Sequence, residues 1–413
     1  SAFYYDREIA GMFFLVVDVV AGEDPVAVEN AMDEVMDAFI RKGPNAKLLK
    51  AEKTKALAGF IRGIQRIGGF GGKSDLLATC QTYTGNPGCY RENARYLDEV
   101  TPAKMKATFA EWIDDTPYVL TILPNEKLGV NETGVDRSSG VPYPTEKVSF
   151  KFPTLQTATL SNGAKVVLAQ RTGVPLVELN FQFSFGYAQE NNNELGYTNF
   201  MMDMLNEGTK KYSSLQFDEV LDSLGSNLGF GSGLDTSYAT VSSLKTNLEE
   251  TLDLAREALI HPTFPQKEID RIKKQTLASI VQEENRPAAI AYRNIGKLLY
   301  GDNHPYGKPL TGSGISATIS DITREDVIAV HKRAINPANL TFAVAGDINL
   351  DELVEMLEVK FGNWSGDSNP DLKILSNIAL PATRTVYLID KPNAQQSYIV
   401  AGQLLPPSAT DEE

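Results

Sequence analysis

The chain has 413 residues, of which 42% are hydrophobic and 22% are charged, and its formal net charge is −14. This composition is ordinary for a folded globular protein and excludes extensive disorder, and the acidic balance argues against nucleic acid or an anionic membrane surface as the main partner. No run of about 18 apolar residues occurs, so the sequence predicts no transmembrane helix.

The first predicted elements are short strands followed by helices. Residues 1–5 and 11–17 are strand-like, and 27–60 shows two helical patterns separated by a proline-marked break. The chain opens inside the first strand-like run without methionine or signal peptide, so we interpret it as a piece of a longer protein. The glycine-rich segment 68–72 lacks the Lys-Ser/Thr pair of a phosphate-binding loop, and we interpret it as a turn.

Cys80 and Cys89 are the only cysteines. They either close a short disulfide loop or remain two ordinary thiols, and the spacing alone does not decide between these alternatives. A zinc site built on them is not expected, because no further cysteine or nearby histidine completes a ligand set.

Residues 125–150 are rich in Gly, Ser, Pro, Asn and charge, which is typical of a linker. The elements expected after the linker follow from turn signals and from apolar periodicity. They are a hairpin at 158–168, a strand at 177–184, helices at 195–206 and 213–224, two strands within 225–244, two helices within 247–280, helices at 287–300 and 323–334, a strand at 340–345, a helix at 349–360 and a strand at 385–390.

An internal repeat relates the two parts of the chain. Residues 27–60 match 247–280 without a gap at an offset of 220, and 97–109 match 319–331 at an offset of 222. In the second match a threonine in each copy, Thr101 or Thr323, is placed to cap a helix. Each helix then runs into a predicted strand, at 118–123 in the first copy and at 340–345 in the second. The first 124 residues are therefore expected to be a shorter copy of 155–365.

The order of elements predicts an α+β fold of repeated modules, each a mainly antiparallel β-sheet with helices packed on one face. We divide the chain into the back part of one module at 1–124, a linker at 125–150, a complete module at 151–378 and the first strands of a following domain at 379–413.

The second module resembles the pitrilysin/insulinase family of zinc metallopeptidases, the inverzincins, over nearly all of 155–365. The first module resembles the back part of another such domain. The resemblance is carried by segments in the family's order: Leu160-Ser-Asn-Gly-Ala-Lys-Val-Val, Gly186, Glu190-Asn-Asn-Asn-Glu-Leu-Gly196, Glu207-Gly-Thr, His304-Pro-Tyr-Gly307, Asn336-Pro-Ala-Asn339 and Gly346-Asp347.

The resemblance implies a zinc site on the helix after Gly196, but its residues are replaced here. Active members carry H-x-x-E-H, in which two histidines bind zinc and the glutamate activates water, and a distal glutamate completes the ligands. Asn199, Met202 and Asp203 stand at these three positions and Ser279 at the distal one, with Glu283 and Glu284 a turn further on. Because a thioether is no base and an amide is a poor zinc ligand, we expect no catalytic residue and no zinc in this chain.

Three other features are weaker candidates for a role. His304 is expected to order a turn and a helix end, and His331 to lie at the surface or in a polar contact. Phe230, Gly231, Ser232 and Gly233 lie where the family has a sheet-edge strand near the substrate. They are weak candidates for binding peptide by strand addition, although a plain strand with a glycine bend is favoured.

The resemblance implies a non-catalytic portion of a two-unit zinc metallopeptidase that closes the chamber and helps to bind peptide substrates. Zinc and the active pitrilysin-like unit would lie upstream in the same chain or in a partner subunit, so this chain is predicted to be inactive alone. Two-unit bacterial members suggest a periplasmic or secreted location. The alternative is a structural scaffold subunit or a peptide-binding module of the same fold without peptidase activity.

Overall fold

The computed structural model describes residues 1–5, 10–19, 23–113, 118–122, 153–366, 385–392, 394 and 397–405. The predicted linker at 125–150 lies outside these residues. The chain divides into two compact units, one of Ser1–Lys53 with Gly63–Pro153 and one of Thr54–Arg62 with Thr154–Glu413.

The first unit contains a two-stranded antiparallel sheet and helices that are mostly exposed. Its elements are β1 (Ala2–Tyr5), β2 (Met12–Leu15), α1 (Pro25–Lys42), α2 (Ala46–Gly63, whose middle turns belong to the second unit), α3 (Lys73–Thr84), α4 (Tyr90–Glu99) and α5 (Pro102–Trp112). Residues 68–72 form the turn between α2 and α3, as predicted.

Cys80 and Cys89 form a disulfide that joins the last part of α3 to the residue before α4. Gly85, which ends α3, has a φ of 68°. This left-handed conformation favours glycine and reverses the chain between the two cysteines.

The second unit is built on a six-stranded sheet in the order β3-β4-β8-β5-β7-β6. Its strands are β3 (Gln156–Thr159), β4 (Lys165–Gln170), β5 (Leu176–Phe183), β6 (Asn227–Ser232), β7 (Ser237–Leu244) and β8 (Leu340–Gly346). Only the β4–β8 pair is parallel. The prediction of an α+β fold with a mainly antiparallel sheet is confirmed.

Helices cover one face of this sheet and enclose the core. They are α6 (Tyr197–Asp203), α7 (Ser214–Ser223), α8 (Leu248–Ile260), α9 (Gln266–Glu283), α10 (Pro287–Tyr300), α11 (Ser316–Asp321), α12 (Arg324–Ala334) and α13 (Leu350–Phe361). Alternate residues of β5, such as Leu179, Phe181 and Phe183, are buried against them, whereas the intervening Glu178 and Gln182 are exposed on the other face. This alternation is what a sheet with one covered face requires.

The repeat is visible in the helices of the two units. The pair α1–α2 corresponds to α8–α9, and α5 corresponds to α12. Thr101 accepts a hydrogen bond from the Lys104 amide and Thr323 accepts one from the Asp326 amide, so both threonines cap their helices as expected.

Two strand predictions are wrong for the described residues. Residues 118–122 and 385–390 form no strand, because a strand requires a neighbouring strand for its hydrogen bonds and none is placed beside them. Helices α3, α4 and α11 were not predicted. No helix among the described residues has the length and apolar character needed to cross a membrane.

Candidate functional site

Helix α6 lies within the segment GYTNFMMDM and follows a glycine, Gly196. A residue outside the helix, Glu190, caps its first turn. Gly196 has a φ of 92° and offers no side chain as a cap. Glu190, which is 3% exposed, instead accepts hydrogen bonds from the amides of Gly196 (2.9 Å) and Thr198 (2.7 Å). Burial raises the pKa of Glu190 to about 7, against the opposing effects of these amides and of Lys308.

A loop that contains two glycines lies directly against the start of α6. A side chain at Gly196 would meet the Ser313 carbonyl oxygen at 2.7 Å, and one at Gly314 would meet the Leu195 carbonyl oxygen at 2.1 Å. Both glycines also have positive φ. The close approach therefore requires glycine on both sides and places Ser313 beside α6.

Both polar atoms of the Asn199 side chain form hydrogen bonds with neighbouring backbone groups. Its amide nitrogen donates to the Gly312 carbonyl oxygen (3.0 Å), and its amide oxygen accepts from the Ser232 amide (3.1 Å). One side chain thus joins α6 to the loop Gly312-Ser313-Gly314, which we call the glycine loop, and to the end of β6.

Met202 does not face the same space as Asn199. Its side chain is fully buried and belongs to the hydrophobic core, with Phe200 and Met201. The position to which the resemblance assigns the base is therefore a packing position in this structure.

Asn199, Asp203 and Ser279 line one cavity of about 480 Å³, which we call the α6 cavity. Its lining residues come from α6, α9 and the glycine loop: Gly196, Asn199, Phe200, Asp203, Glu207, Ile272, Gln275, Thr276, Ser279, Thr311 and Ser313. The structure therefore brings together three of the four predicted positions.

The two carboxylates of the cavity differ in their partners. Glu207 pairs with the Arg271 guanidinium and accepts a hydrogen bond from the Ser214 hydroxyl (2.9 Å). Asp203 has neither a hydrogen-bond nor an ion-pair partner in the described part of the chain. It is exposed toward the cavity, yet the crowding of protein around it raises its pKa to about 6, with the charge of Glu207 as a second cause.

Glu283, the alternative distal residue, is already engaged. Its carboxylate accepts from Arg293 (2.6 Å) and from the Ser313 hydroxyl (2.7 Å), and it does not line the cavity. Glu283 thus supports the glycine loop from outside the cavity.

These residues do not fit zinc. The donor set near Asp203 consists of its own carboxylate, the Glu207 carboxylate that is paired with Arg271, the hydrogen-bonded side-chain amides of Asn199 and Gln275, and hydroxyls. Among the described residues, no group of three or more His, Cys, Asp or Glu is arranged to hold a metal ion. Zinc in proteins takes nitrogen, thiolate or carboxylate ligands, usually four in number with water included.

Strand β6 forms an edge of the sheet next to the cavity. It pairs with β7 on one side only. Because the Ser232 amide donates to Asn199, it points away from β7, and alternation places the amides of Leu228 and Phe230 on the same open edge. The side chains of Leu228 and Phe230 pack against the core. Phe230 to Ser232 thus end a plain strand that turns at Gly233, and the outward amides of Leu228 and Phe230 have no hydrogen-bond partner among the described residues.

The histidines have structural contacts. His304 accepts a hydrogen bond from the Tyr306 amide (3.0 Å) and stacks on Tyr300, which agrees with the predicted turn. His331 bonds the Leu259 carbonyl oxygen (2.9 Å) and contacts Phe264 edge-on, so the expected polar contact is present. Burial lowers the pKa of both imidazoles.

Sequence reasoning missed Thr311, Ser313 and the capping role of Glu190. Thr311 and Ser313 reach the cavity from more than 100 residues beyond α6, through a tertiary contact without a local pattern. The usable signal was Gly312-Ser313-Gly314, since closely spaced glycines mark a close approach of backbone.

Two family models match the chain. Residues 165–313 match insulinase (peptidase family M16), and residues 321–413 match the peptidase M16 inactive domain. The second match begins inside the six-stranded unit and continues through the segment predicted to start a following domain.

Individual relatives are distant. The chain is 26% identical over 204 residues to an uncharacterized zinc protease of Rickettsia felis, covering 49% of each chain. It is 24% identical over 212 residues to a non-peptidase homolog of Helicobacter pylori, covering 50% of this chain and 48% of that protein. The chain thus spans about half the length of the curated relatives it matches.

A solved structure shows the same fold. The peptidase M16 inactive domain of Pseudomonas fluorescens aligns with a TM-score of 0.50 and 27% identity, covering 55% of this chain and 54% of that one.

Proposed function

Because residues 165–313 and 321–413 of this chain belong to the M16 (insulinase) peptidase family, we propose that it is a non-catalytic, peptide-binding portion of a zinc peptidase. In this proposal a paired active unit, in the same protein or in a partner subunit, supplies zinc and the general base. The present chain closes the chamber around the peptide and helps to hold it. The chain spans about half the length of its curated relatives. The activity of the whole protein is therefore part of this proposal.

The observation that carries the non-catalytic part is the state of Asn199. Both polar atoms of its side chain are committed to backbone groups of β6 and the glycine loop. Asn199, at a position that the resemblance assigns to a zinc ligand, thus holds backbone segments together, and Met202, at the position that it assigns to the base, is buried in the core. Neither can activate water.

The free edge of β6 supports the peptide-binding part. An extended peptide adds to such an edge through main-chain hydrogen bonds, and neighbouring pockets then select its side chains. The amides of Leu228 and Phe230 offer these bonds, and the α6 cavity lies where the edge ends at Ser232.

The test compares Phe230→Pro with Phe230→Leu in binding of fluorescent extended peptides by anisotropy. Proline removes the outward amide and is tolerated on an edge strand, whereas leucine keeps the amide and removes only the ring. We expect Phe230→Pro to weaken binding at least about fivefold relative to Phe230→Leu, the loss of roughly one hydrogen bond. Equal binding by the two variants, or no binding of any extended peptide to the unchanged chain, would favour a scaffold role instead.

We further propose a periplasmic or secreted location. The support is the Cys80–Cys89 disulfide, because disulfides form and persist in oxidising compartments. Mass spectrometry of the protein from its native cells, with free thiols alkylated before lysis, would show the bond intact if the location is correct and two alkylated cysteines if it is not.

A further inference from the structure

We propose that the α6 cavity binds the cationic side chain of a lysine or arginine from a peptide lying along β6. This inference rests on the proposed peptide binding and adds the chemistry of the residue that is selected. The cavity to which the resemblance assigns a zinc ion would thus bind an organic cation instead.

The charge of the cavity favours a cation. No lysine or arginine is among its lining residues, and the charge of Glu207 is compensated by Arg271. Asp203 remains as a carboxylate without a partner in the described part of the chain. Asp203 is exposed toward the cavity, so a bound ammonium or guanidinium could reach it and form a charge-assisted hydrogen bond.

The remaining lining residues suit a long side chain with a charged end. Ile272, which is 7% exposed, gives the lining a small apolar surface for methylene groups. The Thr276 hydroxyl donates to the Ile272 carbonyl oxygen (2.9 Å), which leaves its oxygen free to accept. Ser279 and Thr311 add hydroxyl oxygens, and a volume of about 480 Å³ lies in the range of small-ligand sites.

The position of the cavity relative to β6 supports a peptide as the source of the cation. Asn199 both lines the cavity and occupies the Ser232 amide, so strand pairing along the open edge must end there. A peptide paired with Phe230 therefore leaves the edge at the mouth of the cavity, where its next side chain can enter.

The experiment measures four ligands by calorimetry. Two are extended peptides that differ only in one residue, lysine or norleucine, and two are N-acetyl-lysine methylamide and N-acetyl-norleucine methylamide. We expect each lysine ligand to bind about tenfold or more tightly than its norleucine partner, as for a charge-assisted hydrogen bond. In Asp203→Asn this preference should fall to about twofold or less.

Asp218→Asn is the matched control. Asp218 is an exposed carboxylate on α7 that does not line the cavity, but it is close enough to Glu207 to interact electrostatically. This variant should keep the lysine preference, which separates a direct contact with Asp203 from a general loss of negative charge.

The outcomes separate the two proposals. Equal affinity for both peptides, with both affected by Phe230→Pro, overturns the cavity inference and leaves peptide binding in place. Lysine-selective, Asp203-dependent binding of the small ligands without binding of either peptide supports the cavity but overturns the proposed function. Failure of all four ligands to bind overturns both.

Discussion

At the scale of single residues, the four positions that the resemblance assigns to a zinc site have different roles in this chain. Asn199 joins three segments of backbone, Met202 fills the core, and Asp203 and Ser279 line a cavity. The surrounding motif predicts the register of these positions, and that register stays a prediction. The sequence did not reveal these roles, since the partners of Asn199 lie 33 and 113 residues further along the chain.

The raised pKa of Asp203 predicts a pH dependence of stability. The folded pKa is about 6 and the ordinary value is 3.8, so the folded state holds the proton more tightly than the unfolded state. The stability contributed by the protonated form is therefore full below about pH 4 and is lost as the pH rises through about 6. Desolvation is the first cause and Glu207 the second.

Asp203→Asn removes this titration and keeps the shape of the side chain. We expect the variant to gain stability relative to the unchanged chain as the pH rises from 4.5 to 7.5, measured by urea unfolding at four pH values. A difference that does not change with pH would show that the substitution acts through packing and that Asp203 titrates as in the unfolded chain.

At the scale of elements, helices with strong local signals were predicted well and short contact-dependent elements were not. The α8–α9 pair and α12 followed from the repeat and the threonine caps. Helix α11 has only six residues, and helices this short are held by tertiary contacts rather than by propensity. The strands predicted at 118–123 and 385–390 have suitable residues, but the described residues of both lack a partner strand.

The capping of α6 by Glu190 predicts how much this residue stabilises the helix. Glu190→Ala leaves two amides at the start of α6 without an acceptor and removes a carboxylate beside the buried Lys308. We expect a loss of about 2–3 kcal/mol in the free energy of unfolding, with faster amide hydrogen exchange in α6.

Glu194→Ala is the control for Glu190→Ala. Glu194 lies in the same segment, pairs with Arg333 (3.2 Å) and accepts hydrogen bonds from the exposed Asn191 (3.2 and 3.1 Å). Because these contacts are partly exposed, its loss should cost about 1 kcal/mol or less. Equal losses for the two variants would argue that Glu190 is not the cap on which α6 depends.

At the scale of the whole molecule, the two units contain corresponding helices, but their sheets differ in the number of strands. Both contain a hairpin followed by a helix pair and a threonine-capped helix, whereas only the second has six strands in its sheet. In the first unit Tyr4 and Met12 of the hairpin are exposed, and an isolated two-stranded sheet is marginally stable. That 1–124 is the back part of a larger domain stays a prediction, and it agrees with these exposed apolar residues.

The whole chain is expected to bind no zinc, and rebuilding the site tests the reason. After incubation with Zn²⁺ and dialysis, the unchanged chain should retain less than about 0.1 zinc per molecule, whereas Asn199→His/Asp203→His/Ser279→Glu should retain about one, since three protein ligands suffice with water. Because Met202 is kept, this variant should bind zinc without hydrolysing peptides. Asn199→His/Asp203→His alone leaves Glu207 in the cavity lining and Glu283 and Glu284 on and after α9 as nearby carboxylates.

Metal analysis and near-ultraviolet circular dichroism of the three proteins decide between the possibilities. Zinc in the triple variant but not in the double variant would place the distal position at Ser279, in agreement with its location on the α6 cavity. Equal zinc in both would exclude Ser279 and leave Glu207, Glu284 or Glu283 as the third ligand, and Glu283 would then have to leave Arg293 and Ser313. Stoichiometric zinc in the unchanged chain, lost in Asp203→Asn, would contradict the non-catalytic assignment, because the cavity would then hold a metal with the residues it already has.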